Sequence, residues 1–137
     1  MMAPAGLERD LLILACAISA GVHGALTPTH WNEGTAAGAG FLAATLLLAG
    51  LATVLTWQAH RTALLLTGLT LAGLVGSYVL AVTSGLPVLH PQPEPADGLG
   101  LATKLVEAAG LALALDLLRR GRSALSAAPL RPKGTTT

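Results

Sequence analysis

His23 and His30 stand on either side of Pro28, and Glu33 follows one helical turn later. Imidazole and carboxylate donors suit a copper ion or another divalent cation, and neutral imidazole is the commonest side-chain ligand of such metals. On one continuous helix the two rings share a face but stand about 10.5 Å apart along the axis, too far for bonds of about 2.0–2.1 Å to one ion. Pro28 offers a way round this. It gives no hydrogen bond to the carbonyl of Gly24 and pushes Thr27 from helical geometry, so the chain is expected to fold back and carry His30 toward His23. His90 and Glu94 in a later loop extend the candidate ligand set to His23, His30, Glu33, His90 and Glu94. The plainer alternative is a pair of histidines at a membrane surface, each hydrogen-bonded to backbone or water.

A second group lies inside an apolar run, where Lys104 and Glu107 are costly unless they have partners or a function. At a spacing of three residues they can pair on one helix face, which is the reading the spacing favours. The alternative pairs Glu107 with His23 across the fold as a proton-accepting or ion-binding couple, and in the metal reading Glu107 and Lys104 back the ligands. Asp116 is placed to pair with Arg119 or Arg120, and Asp97 to cap the helix that begins near Leu99. No nucleophile–His–acid order, phosphate-binding glycine loop or nucleotide fingerprint occurs, so no enzymatic activity is expected. The single Cys16 excludes an intrachain disulfide and reads as a small packing residue.

The elements that must position these residues are set by composition. Charged residues make up 11% of the 137-residue chain and apolar residues 53%, against about 25% charged in an ordinary soluble domain. Four apolar stretches, Leu11–Thr27, Thr35–Trp57, Thr62–Val82 and Leu99–Leu118, approach the roughly 20 residues a helix needs to cross hydrocarbon. They lack the alternation of barrel strands, so the expected fold is all-α, a four-helix transmembrane bundle over residues 1–118. The first stretch has no positively charged leader and no good cleavage site, and is expected to remain as a helix rather than serve as a secretion signal.

Basic residues fix the expected orientation. Arg9, Arg61 and the group Arg119, Arg120, Arg122, Arg131 and Lys133 fall on one side of a four-crossing path, while the two other connections hold no Lys or Arg. Both termini are therefore expected in the cytoplasm, in a multi-pass protein of the plasma membrane. Trp31 and Trp57, about 39 Å apart on a helical rise, suit the two interfacial belts. The histidines and most carboxylates then gather toward the outer face. Residues 119–137 are expected to form a basic, disordered tail near anionic headgroups. Small residues at helical spacing, among them Gly68, Ala72 and Gly76, serve close packing within the chain or against a partner. The lipid bilayer is the expected partner. A homo-oligomer or a larger membrane complex that this chain scaffolds is an alternative, and with 8 basic against 7 acidic residues nucleic acid is not expected.

The run His23-Gly24-Ala25-Leu26-Thr27-Pro28-Thr29-His30, the following Glu33, and Thr83-Ser84-Gly85-Leu86-Pro87 with Pro93-Glu94-Pro95 and Gly98-Leu99 resemble a group of small actinobacterial four-helix membrane proteins of no established activity. The shared element is a His-x-x-x-x-Pro-x-His first-loop motif. Thr29 stands where that group usually has Glu, which weakens a ligand role at that position. The resemblance implies the four-helix architecture and directs attention to His23, His30, Glu33, Glu94 and Glu107. Small multidrug transporters also have four short helices, but their membrane Glu lies in the first helix, where this chain has none. Cation handling at the outer face is the concrete function expected, with a scaffold role and a proton-coupled small-solute carrier using Glu107 as the other candidates.

Overall fold

The computed structural model describes residues 5–86, 92–93 and 95–126, which form four helices: α1 (Ala5–Glu33), α2 (Thr35–Trp57), α3 (Arg61–Thr83) and α4 (Gly98–Ser126). Three of them, α1 from Gly6 onward, α2 and α3, are long and apolar enough to cross a membrane. α4 is as long as α1, but Lys104, Glu107, Asp116, Arg119 and Arg120 interrupt its apolar character and set it apart from the other three.

α1 begins at Ala5 rather than at the expected Leu11, and two further boundaries differ from expectation for identifiable reasons. α1 does not break at Pro28 but runs through it to Glu33, with Gly34 N–H donating to the His30 carbonyl at 3.0 Å. The bond that Pro28 cannot make is offset by contacts of the turns after it, where Trp31 lies over Gly38 and His30 over Phe41. α4 likewise continues past Leu118 to Ser126, because the helix preference of Leu, Ala and Arg outweighs Gly121 and the first proline downstream is Pro129. The expected tail thus starts with a helical segment, and residues 127–137 lie outside the described residues.

α1 packs on α2 and α4, and α3 packs on α4 and α2, so each helix touches two others. On α1 the buried positions Glu8, Leu12, Ala15, Cys16, Ser19, Ala20 and His23 recur with helical period, and on α4 Thr103, Glu107, Gly110 and Ala114 do the same. The apolar core fills one end of the molecule: Leu12, Cys16, Leu48, Leu55 and Leu71 are fully buried there, with Ala63, Leu64 and Ala114 around them. Where α1, α3 and α4 meet, Gly110 allows a close approach, since a Cβ there would stand 3.1 Å from Ala15 and Leu71 and force them to give by a few tenths of an ångström. Each helix also turns large apolar side chains outward, including Leu14, Leu46, Leu69 and Leu105.

Asp97 caps α4 as its position suggests. Its Oδ1 accepts the Gly100 N–H at 2.7 Å and its carbonyl accepts the Leu101 N–H at 3.0 Å. Asp97→Ala should lower stability by about 1 kcal/mol, measured by thermal unfolding in mild detergent, while Asp97→Asn keeps most of the cap.

Candidate functional site

At the end of the molecule opposite the core, α1 and α4 meet through polar side chains. Ser19 lies one turn before His23 on the face of α1 that meets α4, and Glu107 lies one turn beyond Thr103 on the buried face of α4. Glu107 is fully buried. Its Oε1 accepts a hydrogen bond from the Ser19 hydroxyl at 2.6 Å, and its Oε2 accepts one from Lys104 Nζ at 2.6 Å. His23 Nδ1 stands 3.9 Å from Glu107 Oε1 and donates to the Ser19 carbonyl at 2.9 Å, with the Ser19 hydroxyl 3.4 Å away. Ser19 therefore bridges the imidazole and the carboxylate.

Both expected pairings of Glu107 occur at once. The local partner Lys104 makes the close ion pair, and His23 approaches from the neighbouring helix through the hydroxyl. A carboxylate removed from water needs its lone pairs occupied, and one ammonium together with one hydroxyl achieves that here. Ser19 was not singled out from the sequence, although its place four residues before His23 puts the two on one helix face. Ser19→Ala removes a hydrogen bond to a charged, buried acceptor and should lower stability by about 2 kcal/mol, read from unfolding curves in the same detergent.

His30 lies on the same side of α1, and its Nδ1 meets Glu33 Oε2 at 2.6 Å. The Phe41 ring of α2 stacks on His30 with ring centres 3.8 Å apart and tilts against His23 at 5.3 Å. Since α1 stays helical through Pro28, the two imidazoles remain two turns apart on one face, with this benzene ring against both. The fold-back that was to bring them onto one ion does not occur. Among the described residues there is no group of three or more His, Cys, Asp or Glu side chains able to hold a metal ion. His90 and Glu94 lie outside the described residues.

The same end of the molecule holds a partly open cavity of about 450 Å³ between the four helices. α1 contributes His23 and His30, α2 Phe41, α3 Ser77 and Tyr78, and α4 Thr103 and Lys104, with Asp97 and Leu86 from the preceding connection. Most of the remaining wall is aliphatic or glycine, so the space exists because small residues such as Ala37, Gly40 and Gly100 line it. Lys104 Nζ lies 5.7 Å from the centre of the Tyr78 ring, close enough for a cation–π contact. The Tyr78 hydroxyl is buried against Gly100 and has no hydrogen-bond partner among the described residues.

At the far end of the α1–α4 contact, Arg120 Nη2 donates to the buried Glu8 at 2.9 Å and pairs with Asp116 at 2.6 Å. The Asp116 pairing was expected from the sequence; Glu8 was not, because its partner lies on the last helix. No protein-family profile, curated protein or solved structure matches the chain.

Proposed function

We propose that the chain is a four-helix transmembrane protein with both termini in the cytoplasm, and that its outward end binds a small amphipathic solute with Glu107 as the proton-accepting group. The observation that carries this reading is the fully buried Glu107, tied to Lys104 and Ser19 beside a cavity that Lys104 and His23 also line. An ionisable residue held inside a lipid-embedded fold, directly behind a lysine and a histidine that line a largely apolar cavity, is the arrangement expected of a proton-linked binding site.

Membrane insertion of all four helices is supported by their outward faces. Leu105 is 73% exposed, Leu69 69% and Leu46 65%, and surfaces of this kind on every side of a molecule suit hydrocarbon rather than water. The orientation rests on the basic residues at the α1 start, the α2–α3 connection and the α4 end. Trp57, 81% exposed, and Trp31, 45% exposed, fall at the two ends of the α1–α2 hairpin where interfacial aromatics are favoured.

The test is calorimetric titration of the full chain in lipid nanodiscs with octanoate, octanol and octylamine, each in two buffers of different ionisation enthalpy. At least one probe should saturate with a heat that depends on the buffer, and Glu107→Gln should abolish that dependence. Saturation by none of the three, or an unchanged buffer dependence in Glu107→Gln, contradicts the reading.

Cation handling has its own support in the close His30–Glu33 pair at the rim of the same end. It requires further donors such as His90 or Glu94 beside them. Elemental analysis decides it: bound copper or another divalent metal that disappears in His23→Ala/His30→Ala supports the role, and equal metal content in wild type and double variant rejects it.

A further inference from the structure

We propose that the cavity takes an amphiphile with a single carboxylate, whose head replaces the Glu107 carboxylate at Lys104 while Glu107 takes up a proton. The inference rests on the solute-binding reading above and specifies the class of solute.

The cavity wall selects for such a molecule. Its bulk is aliphatic and aromatic, which suits a hydrocarbon tail, and its volume falls within the range of about 300–1,000 Å³ common to small-ligand sites. Its charged and titratable lining is mainly cationic or neutral: Lys104 from α4, His23 and His30 from α1, and Tyr78 from α3, with Asp97 near the start of α4. α2 presents Phe41, which carries no charge. An ammonium head would meet Lys104, and of the two carboxylates near it Glu107 is occupied by Lys104 and Ser19 while Asp97 Oδ1 is engaged by the Gly100 N–H at the helix cap. A carboxylate meets one ammonium donor, and the Tyr78 ring on the same wall carries a buried hydroxyl with no hydrogen-bond partner among the described residues. A doubly charged phosphate would lack the second strong cation or guanidinium fork that such groups usually find.

Charge balance fixes the accompanying step. Lys104 remains an ammonium throughout. The incoming carboxylate brings one negative charge to it, and Glu107 loses its own by accepting a proton from solution, keeping the hydrogen bond from Ser19. The site therefore stays electroneutral, and the anion and the proton enter together. His23, 3.9 Å from Glu107 and linked to it through Ser19, lies on the cavity side and is the nearest imidazole for passing that proton.

The three-probe titration separates this inference from the broader one. Octanoate should bind at least about tenfold more tightly than octanol, the loss expected when a charge-assisted hydrogen bond is removed, and octylamine should bind more weakly than both. Heats in the two buffers should report about one proton taken up per octanoate and none per octanol. In Lys104→Met/Glu107→Gln, which leaves no unpaired buried charge, octanoate should lose both its advantage over octanol and its proton uptake. Tyr78→Phe should weaken octanoate while leaving octanol unchanged. Octylamine binding as tightly as octanoate, or a double variant that still prefers octanoate, overturns the inference. Saturation by octanol alone, with a buffer-dependent heat that Glu107→Gln abolishes, would leave the solute-binding reading standing and remove this one, whereas saturation by no probe, or by octanol with no buffer dependence, removes both.

Discussion

Replacing Lys104 with Met alone is expected to lower stability by about 3 kcal/mol, because it leaves the fully buried Glu107 carboxylate without its cation. The methylene stem of Lys104 is closely matched by Met, so little of the loss should come from packing. Adding Glu107→Gln removes the stranded charge and lets the amide keep a hydrogen bond to Ser19, so the double variant should recover most of the stability. The difference between single and double variants, followed by denaturant-induced unfolding in detergent, isolates the ion pair from the side-chain volume. Equal stability of Lys104→Met and the wild type would mean that Glu107 does not depend on Lys104 for its charge.

The second large effect lies at the α1–α2 hairpin. A Cβ on Gly38 would stand 2.6 Å from the Trp31 Cα and 2.5 Å from its indole ring, a collision with backbone that rotamer changes cannot relieve. Gly38→Ala should therefore push α1 and α2 apart and cost about 3 kcal/mol, at the upper end of what overpacking usually costs. Because the same contact holds the last turn of α1 beyond Pro28, the variant should also loosen the His30–Phe41 stack. A Cβ on Gly50 of the same helix would meet no described neighbour within 4 Å outside its own helix backbone, so Gly50→Ala should be neutral or stabilise by up to about 1 kcal/mol through helix propensity. Thermal unfolding should fall for Gly38→Ala and stay level or rise for Gly50→Ala, and equal shifts would show that the close approach at Gly38 is not what joins the hairpin.

The four helices were legible because apolar runs of membrane length are a strong, local signal, and the boundaries of α2 match the run Thr35–Trp57. The ends of α1 and α4 were not. Pro28 breaks helices as a local rule, and tertiary contacts of Trp31 and His30 with α2 override it, which no local pattern announces. The candidate site divides in the same way. Lys104–Glu107, Asp116–Arg120 and the Asp97 cap are near neighbours in the chain and could be read from spacing. The Ser19–Glu107 and Glu8–Arg120 bonds join the first helix to the last, and they depend on rotation of both helices about their axes. Phe41 was invisible for the same reason: its place against both histidines is fixed by the closeness of α1 and α2 at Gly38 rather than by any feature of its own neighbourhood.

The placement of the cavity on the outer side of the membrane is tested most directly by thiol accessibility in intact cells, using a Cys16→Ser background and one new cysteine at a time. Thr29→Cys, at the end of α1 beside the cavity, should react with a membrane-impermeant maleimide added outside, whereas His60→Cys, in the α2–α3 connection, should react only after the cells are permeabilised. Labelling of His60→Cys from outside with Thr29→Cys protected would invert the molecule. Labelling of both from one side would show that α2 does not cross the membrane, and the account of an outward-facing, proton-linked site would fall with it.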